Sequence, residues 1–349
     1  MFTLPNLPRL KRPAKNSARE RVTLRTIAQA AKVSLMTVSY ALRNNPQVSR
    51  GEQQRIQKIA EKLGYRPDPL LTHLMQHLRS HRTLKSTTNL AVLTMLDAGF
   101  VRRLLQGARA RAERLGYHLD VIDVRMYADR SASLTRTLFS RGISGVLLAP
   151  TVAPANYARL LDWDKFAAVA MTYSIVEPHV HRVVTHHFDN AVRTFALLEQ
   201  RGLRRIGLAM TRDMEFRANH SYSGAYWRVA ETRNTRSVPI IFLDATSPKE
   251  IRSWFATHRP HAVVVANAHQ VRDFLLPALG KTERERTIFV TLDYEPAGGI
   301  PGMDQLFEMI GSHAIDALVA QLHRNERGLP EHPTITMVEG QWVDHVKEG

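Results

Sequence analysis

The chain of 349 residues contains no cysteine, so disulfide scaffolds, thiolate zinc sites and cysteine nucleophiles are excluded. It also lacks any apolar run near the roughly 18 residues that a membrane helix needs, and its first residues lack the apolar core of an export signal. The sequence has no phosphate-binding loop, dinucleotide fingerprint, serine-hydrolase elbow or zinc-protease motif. We therefore expect a cytoplasmic protein that is not an enzyme and has no membrane partner, cofactor or metal.

Acidic residues are scarce in the first quarter of the chain. Residues 1–88 contain 17 Lys and Arg against 4 Asp and Glu, a net charge of +13, whereas residues 89–349 contain 31 against 28, a net charge of +3. A basic segment of this kind suits a polyanion, and nucleic acid is the first candidate. An acidic membrane surface is the alternative, and it would require a basic amphipathic helix with bulky apolar anchors.

Three short helices are predicted within this basic quarter, each preceded by a hydroxyl residue that can cap its N-terminus. They are a helix over 24–31 after Thr23, a helix over 35–42 after Ser34, and a helix that begins at Ser49, with Glu52 completing a capping box, and ends at Gly64. Three short helices, the first two joined by a tight turn, are typical of a helix-turn-helix domain. A small helical bundle without a ligand gives the same pattern.

Beyond this pattern, the segment VTLRTIAQAAKVSLMTVSYALRNNPQVS resembles the DNA-binding head of the lactose-repressor (LacI/GalR) family. The matching residues keep the family's spacing without gaps: Val22, Thr23, Leu24, Ile27, Ala28, Ala31, Val33, Ser34, Thr37, Val38, Ser39, Ala41, Leu42, Val48, Ser49, Leu63, Gly64, Tyr65 and Pro67. The resemblance implies a DNA-binding domain over residues 22–66. Lys32 occupies a turn position where the family often has glycine, which predicts modest backbone strain.

The resemblance also implies which residues of the head contact DNA. The second helix would lie in the major groove with Leu35, Met36 and Tyr40 at the base edges. Backbone contacts would come from hydroxyl groups at Thr23, Ser34, Thr37, Ser39, Ser49 and Tyr65. Tyr40 stands where the family usually has Arg, and a single hydroxyl cannot bond guanine in a bidentate manner. We therefore expect a family-like docking geometry on a non-standard operator.

Two segments flank the head. Residues 1–21, with three prolines and scattered basic residues, are predicted to be a flexible basic arm. Residues 67–88 are predicted to form a hinge helix and linker, since Asp68 and Pro69 suit an N-cap and a first helical position. The resemblance places Leu74 as a wedge in the minor groove. Histidines recur on one face of this stretch, at His73, His77 and His81, and a polar stripe explains them better than a zinc site.

From residue 89 onward, apolar strands alternate with helices, which indicates parallel sheets of the doubly wound α/β class. This length favours two lobes with a cleft at the carboxyl ends of the strands. The segment resembles the family's sugar-sensing domain, itself similar to periplasmic sugar-binding proteins. We expect an effector-binding and dimerisation domain, with lobe one over about 89–185 plus 304–322 and lobe two over about 186–303 plus 323–349.

Three polar residues match the family's pocket positions: Asn267, Asp293 and Gln305. Asn267 and Asp293 could equally serve only to cap the turns that follow their strands. Ser221 stands where the family has a pocket arginine, and Arg217 or Arg212 could replace that arginine; Ala268 stands where the family has Asp. These departures predict a ligand other than a standard hexose, or a pocket without a ligand. The histidines at 179, 181, 186 and 187 flank a predicted lobe crossover, and we expect structural roles for them.

These observations predict a sequence-specific DNA-binding transcriptional regulator, and they favour a repressor over an activator. It would bind a pseudo-palindromic duplex operator as a homodimer, because the two-fold symmetry of the protein is mirrored in the DNA. A small polar, sugar-like effector in the cleft between the lobes would modulate it. Three alternatives stay open: a solute-binding protein of transport, an enzyme on an α/β scaffold, and a regulator whose large domain only dimerises.

Overall fold

A computed structural model describes residues 24–42, 48–63, 88–127, 131–232 and 238–344. The chain divides into two compact units, Met1–Leu84 and Lys85–Gly349. Several predicted features lie outside the described residues: the basic arm, the hinge helix with Leu74 and its three histidines, and the proposed DNA contacts Thr23 and Tyr65. No helix among the described residues is long and apolar enough to cross a membrane.

The first unit contains the three predicted helices, α1 (Leu24–Ala31), α2 (Leu35–Ala41) and α3 (Arg50–Lys62). Apolar side chains three and four residues apart lie on one face of each helix, and these faces meet in a single core. The buried members of that core are Ile27, Ala28, Ala31, Val38, Ala41, Val48, Ile56 and Ala60. The prediction of a three-helix head is therefore confirmed in its helices and its core.

The turn between α1 and α2 is short and sharply bent. Lys32 adopts φ 54°, a left-handed conformation that favours glycine, so the predicted strain is present at this residue. Ser34 then caps α2, because its Oγ accepts a hydrogen bond from the amide of Thr37 at 3.0 Å. The strained turn and the cap together fix where the second helix begins.

In the second unit, the first lobe is built on a six-stranded parallel sheet with the strand order β13-β7-β5-β3-β1-β2. Its strands are β1 (Thr88–Thr94), β2 (Tyr117–Asp123), β3 (Gly145–Leu148), β5 (Ala167–Ala170), β7 (His181–Thr185) and β13 (Ile335–Val338). A separate pair, β4 (Ala155–Asn156) and β6 (Ile175–Glu177), lies beside it. Helices α4 (Gly99–Arg114), α5 (Ser131–Ser140) and α13 (Phe307–His323) belong to this lobe.

The second lobe has a six-stranded sheet with the order β14-β12-β11-β10-β8-β9. Its strands are β8 (Ile206–Met210), β9 (Ile241–Phe242), β10 (Ala262–Asn267), β11 (Ile288–Asp293), β12 (Gly302–Asp304) and β14 (Gln341–Val343), the last antiparallel to β12. Its helices are α6 (His187–Gln200), α7 (Arg212–Arg217), α8 (Ser221–Thr232), α9 (Pro248–His258), α10 (Ala268–Gln270), α11 (Leu276–Ala278) and α12 (Lys281–Arg286), with a π-helical turn at Val271–Leu275 between α10 and α11.

The chain crosses between the two lobes three times, after β7, after β12 and after β13. The third crossing corrects the predicted boundaries, which place all of residues 323–349 in the second lobe. β13 instead extends the first-lobe sheet, with Ile335 opposite Arg182, and only β14 joins the second lobe. The pairing partners of so short a strand lie far away in sequence, so a local pattern does not reveal its sheet.

Helices α4 and α13 cross at very close range. A Cβ on Gly107 would lie 1.9 Å from the carbonyl oxygen of Glu308, and a Cβ on Gly311 would lie 2.0 Å from the carbonyl oxygen of Leu104. Only glycine allows the two backbones to approach in this way. The crossing holds the first turns of both helices in place, and those turns carry Phe100 and Phe307, whose ring centroids are 5.5 Å apart.

Candidate functional site

The first candidate surface is the outer face of α2 in the head. Leu35 and Met36 are 47% and 61% exposed, although both are large and apolar. Tyr40, one turn further along the same face, is half-buried and packs against the core of the head. Helical side chains four residues apart share a face, so Met36 and Tyr40 lie on one side of α2, and Leu35 is the exposed first residue of the helix. Exposed apolar side chains in this position can contact thymine methyl groups in a major groove.

The hydroxyl groups around the head have differing partners. Ser34 and Thr37 hydrogen-bond to each other at 2.8 Å. Ser49 precedes α3 but makes no capping hydrogen bond through its side chain, so the predicted capping box with Glu52 is wrong. The Glu52 carboxylate is instead bound by the Arg55 guanidinium at 2.6 Å, so this carboxylate does not complete the box. The Ser49 hydroxyl is exposed and is not used to cap its own helix.

The surroundings of α2 are basic. The described part of the head contains six Lys and Arg against two Asp and Glu, and five of the cations are exposed: Lys32, Arg50, Arg55, Lys58 and Lys62. The Arg55 guanidinium already has partners within the head, because besides Glu52 it donates to the carbonyl of Ala31 at 2.9 Å. An exposed apolar helix face together with exposed cations suits a DNA duplex. Base edges line the grooves of the duplex, and phosphates line the edges of those grooves.

The second candidate site is a cavity of about 270 Å³ between the two lobes of the second unit. It lies where the carboxyl ends of both sets of strands meet, as the doubly wound topology predicts. The first lobe contributes mostly apolar side chains: Leu96, Ala98, Phe100, Leu104, Pro150, Val152 and Met171. The second lobe contributes mostly polar ones: Arg217, Tyr222, Asn267, His269, Asp293 and Glu295. The cavity therefore has one apolar wall and one polar wall.

A chain of buried hydrogen bonds supports the polar wall. The Gln305 amide donates to the Tyr222 hydroxyl at 3.1 Å and to the carbonyl of Leu292, and the Tyr222 hydroxyl lies 3.1 Å from Nδ1 of His187. Burial, aided by the charge of Arg217, lowers the pKa of His187 to about 3, and burial raises the pKa of Tyr222. Both side chains are therefore neutral near pH 7. Oε1 of Gln305 has no partner among the described residues.

Asp293 is the most perturbed acid of the cavity. It is only 6% exposed, and its Oδ1 has no hydrogen-bond partner in the described part of the chain. Burial, reinforced by the negative charge of Glu295, raises the pKa of Asp293 to about 8, although Arg103 and Arg217 act in the opposite direction. The Asp293 carboxyl is therefore largely protonated at neutral pH and can donate as well as accept a hydrogen bond.

The structure decides between the candidate arginines. Arg217 lines the cavity, whereas Arg212 lies outside it, with its guanidinium 5.8 Å from the ring centroid of Phe242. Ser221 is not among the lining residues, contrary to its predicted role, and its neighbour Tyr222 takes that place. The reason is the break between α7 and α8, where Asn219 and His220 both adopt left-handed backbone conformations and redirect the chain.

Asn267 has both of the roles that the sequence left open. Its Oδ1 caps α10 by accepting from the amide of Gln270 at 3.2 Å, while its side chain also lines the cavity. Asn267, Asp293, Gln305 and Arg217 are thus brought together around one space. Their role in binding a ligand stays a prediction.

The histidines near the first lobe crossover have separate partners: Glu177 for His179, Thr334 for His181 and Tyr222 for His187. His186 alone approaches two carboxylates, those of Asp189 and Glu339, with the three ligand atoms within 4.8 Å of one another. The Arg193 guanidinium lies 3.8 and 3.7 Å from these carboxylates. A fixed cation already compensates their charge, which disfavours a metal ion there.

Sequence reasoning missed several residues of the cavity. Thr172 and Thr185 follow or end strands of the first lobe, so the rule that ligands bind at the carboxyl ends of strands was sufficient to find them. Phe100 and Phe307 lie in the first turns of α4 and α13, and no local sequence pattern marks them as cavity residues. Arg103 was also missed: it contacts Phe307, with 5.5 Å from the guanidinium to the ring centroid.

Arg103 connects the second lobe crossover to α4. Its guanidinium binds Glu308 at 2.6 Å and Asp304 at 3.0 Å, and this hydrogen bonding lowers the pKa of Glu308. We expect Arg103→Met to lower the free energy of unfolding by roughly 1–2 kcal/mol, because two partly buried carboxylates lose their cation. Tryptophan fluorescence in urea would measure this loss, since all four tryptophans lie in the second unit.

The same substitution has a predicted pH dependence. A carboxyl whose pKa is lowered on folding stabilises the folded state above its unfolded pKa, here 4.5, and that contribution disappears as the pH falls through the folded value. The deficit of Arg103→Met should therefore shrink below about pH 4.5. Arg102→Met is the matched control, because among the described residues Arg102 pairs only with the exposed Asp97. An equal deficit in both variants would contradict a specific role for Arg103.

Comparison with known proteins gives the same picture for the head. Residues 23–68 match the family model described as bacterial regulatory proteins, lacI family. The chain is 26% identical to the HTH-type transcriptional repressor CytR of Escherichia coli K12 over 188 residues, which is 53% of this chain and 52% of CytR. It thus spans about half the length of this relative.

Two further comparisons cover nearly the whole chain. The HTH-type transcriptional regulator PtxS of Pseudomonas plecoglossicida is 22% identical over 324 residues, covering 89% of this chain and 92% of PtxS. The crystal structure of the lac repressor dimer bound to operator and the anti-inducer ONPF superposes with a TM-score of 0.53 at 18% identity, covering 93% of this chain and 98% of that one. This second likeness concerns the fold: a helical head followed by a two-lobed α/β domain.

Proposed function

We propose that this chain, whose residues 23–68 match the lacI family of bacterial regulatory proteins, is a sequence-specific DNA-binding regulator of transcription that acts as a repressor. The observation that carries the proposal is the surface of α2, where Leu35 and Met36 are exposed beside a capped N-terminus and exposed cations. A helix of this kind can enter a major groove while the surrounding cations neutralise phosphates. The names of CytR and PtxS, a repressor and a regulator, support this choice.

In this proposal the chain acts as a homodimer on a pseudo-palindromic duplex operator. Two-fold related heads would insert their α2 helices into successive major grooves about one helical turn apart. Thr23, Ser34, Thr37, Ser39, Ser49 and Tyr65 would contact the DNA backbone. Leu35, Met36 and Tyr40 would face base edges, and Leu74 would wedge into the minor groove. Tyr40 would contribute chiefly by shape, since its ring packs against the head.

The interlobe cavity would hold a small polar effector, for which a sugar-like molecule is the expectation from sequence. Its contacts would come from Asn267, Asp293, Gln305 and Arg217, all of which line the cavity. Since the cavity is bounded by both lobes, an effector that contacts both walls would favour one relative position of the lobes. Such a ligand can change DNA affinity only to the extent that it binds the two states unequally.

Selection from random duplexes tests the proposal. The full chain should enrich a two-fold symmetric motif, and binding should weaken steeply as salt is raised because phosphate contacts release counterions. Enrichment of no motif, with only salt-sensitive attachment to any duplex, would rule out sequence-specific regulation by this chain.

Met36→Gln gives a sharper result in the same assay. Glutamine can bond adenine in a bidentate manner, so the variant should prefer adenine at one position in each half-site and bind the wild-type motif about tenfold more weakly. Met126→Gln is the matched control, because Met126 is 74% exposed but lies in the second unit. A motif unchanged by Met36→Gln would remove Met36 from the base-reading residues.

A further inference from the structure

Arg217 is a cation on the cavity wall with few partners. Its guanidinium contacts the sulfur of Met214 and the face of Phe100, whose ring centroid lies 5.4 Å away, and its Nε is buried with no hydrogen-bond partner among the described residues. It forms no ion pair with a carboxylate in the described part of the chain. A guanidinium group has five N–H donors in a planar arrangement that matches the two oxygens of a carboxylate. An unpaired, partly buried guanidinium such as that of Arg217 can therefore bind a ligand carboxylate.

Two acceptors stand on the same polar wall without partners. Oδ1 of Asp293 and Oε1 of Gln305 are both unpaired, and these side chains are 6% and 2% exposed. Because burial raises the pKa of Asp293 to about 8, its carboxyl can donate to an incoming carboxylate near neutral pH. The other acid of the wall, Glu295, lies 3.5 Å from Nε2 of His269.

The opposite wall is mainly apolar, with Phe100, Leu104, Val152 and Met171. Its polar groups are the hydroxyls of Thr172, Tyr173 and Thr185. The Thr172 hydroxyl is already engaged, since it lies 2.9 Å from the Ser174 hydroxyl and accepts from the Ser174 amide at 2.9 Å. Ligand hydroxyl groups buried against the apolar part of this wall would lose their bonds to water without replacement.

From these contacts we propose that the cavity binds a small organic acid, with the carboxylate on the Arg217 guanidinium and the body of the molecule against the apolar wall of the first lobe. The inference rests on the proposed function only in taking this cavity as the effector site. Because Arg217 belongs to the second lobe and Phe100 to the first, an acid held between them contacts both lobes. Arg217 is then the residue that selects acids over neutral molecules of the same shape.

The test compares acids with neutral partners of matched shape, using calorimetry on the full chain. Benzoate is paired with benzamide, phenylacetate with phenylacetamide, and gluconate with glucose. We expect at least one acid to bind at least tenfold more tightly than its neutral partner. Failure of all three acids to bind, equal binding within every pair, or binding of glucose without gluconate would overturn the proposal.

Variants of the two arginines of α7 make the test specific. Arg217→Gln should weaken binding of the preferred acid at least tenfold and leave its neutral partner unchanged, and Arg217→Lys should recover part of the loss because it keeps the charge. Arg212→Gln, on the same helix but outside the cavity, should bind as the wild type does. Unchanged acid affinity in Arg217→Gln would overturn the assignment.

Operator selection run in parallel separates the two proposals. Enrichment of a motif by a chain that binds none of the acids means that only the ligand class is wrong. Acid binding by a chain that enriches no motif means that the proposed regulation is wrong and that the ligand site stands.

Discussion

Gly311→Ala is expected to lower the free energy of unfolding of the second unit by at least about 3 kcal/mol. A Cβ at this position would lie 2.0 Å from the carbonyl oxygen of Leu104 and 2.9 Å from the amide nitrogen of Ala108. Both obstacles are backbone atoms of α4, so no side chain can rotate away. The two helices would have to separate, and the buried contacts along their length would open with them.

Gly224→Ala is the matched control for this substitution. Gly224 also lies inside a helix, α8, but a Cβ there would meet only the Phe188 ring, at 3.8 Å. Alanine should therefore stabilise the unit by roughly 0.5–1 kcal/mol through its higher helix propensity. The midpoint of urea unfolding, followed by tryptophan fluorescence, measures both variants. Equal midpoints for Gly311→Ala and the wild type would show that α4 and α13 can separate at this crossing without loss of stability.

The helix crossing also matters for the cavity. α4 and α13 begin at the cavity and carry Phe100 and Phe307 there, so a shift between these helices would move the apolar wall. A partly folded Gly311→Ala chain should accordingly bind a ligand of the cavity more weakly. The head, with a separate core, should keep its own helices.

The sequence predicts most of the elements because local rules decide them. In the head, apolar residues three and four apart and the cap at Ser34 give α1 and α2 nearly residue by residue. In the lobes, continuous apolar runs give the strands. The carboxyl-end rule then brings Asn267 and Asp293 together, since β10 and β11 are parallel neighbours with these residues in register.

The features that the sequence did not predict have both local and long-range causes. The local sequence fits a capping box at Ser49 and an ion pair between Glu52 and Arg55 equally well, and the structure contains the ion pair. The family resemblance assigns Ser221 to the pocket by its position alone. Asn219 and His220, residue types that favour left-handed backbone, redirect the chain just before it. β13 pairs with a strand about 150 residues away, which no local pattern encodes.

Asp293→Asn is expected to remove a pH dependence from the stability of the second unit. An acid whose pKa is raised from 3.8 to about 8 on folding binds more protons in the folded chain than in the unfolded chain between those values. Stability of the wild type should therefore fall as the pH rises from about 4 to about 8 and then level off. Since each pKa unit corresponds to about 1.4 kcal/mol, the total effect is a few kcal/mol.

The charges that set this pKa act in both directions. Burial is the largest cause and Glu295 and Asp304 add to it, while Arg103 and Arg217 oppose it. A bound organic acid would add a negative charge on the same wall and would favour the protonated form of Asp293 further. Affinity of the wild type for an acid such as benzoate should then decline above about pH 8, where Asp293 ionises. In Asp293→Asn this decline should be absent.

The measurement is the urea midpoint of both chains from pH 4 to pH 9, with Asp97→Asn as the control for loss of a carboxylate. Asp97 is exposed, so its variant should follow the wild type throughout. Asp293→Asn should be close to the wild type near pH 4 and clearly more stable near pH 8, because an amide bears no charge to be buried. A constant difference between Asp293→Asn and the wild type across this range would mean that Asp293 is ionised in the folded chain. The polar wall would then repel an organic acid instead of receiving it.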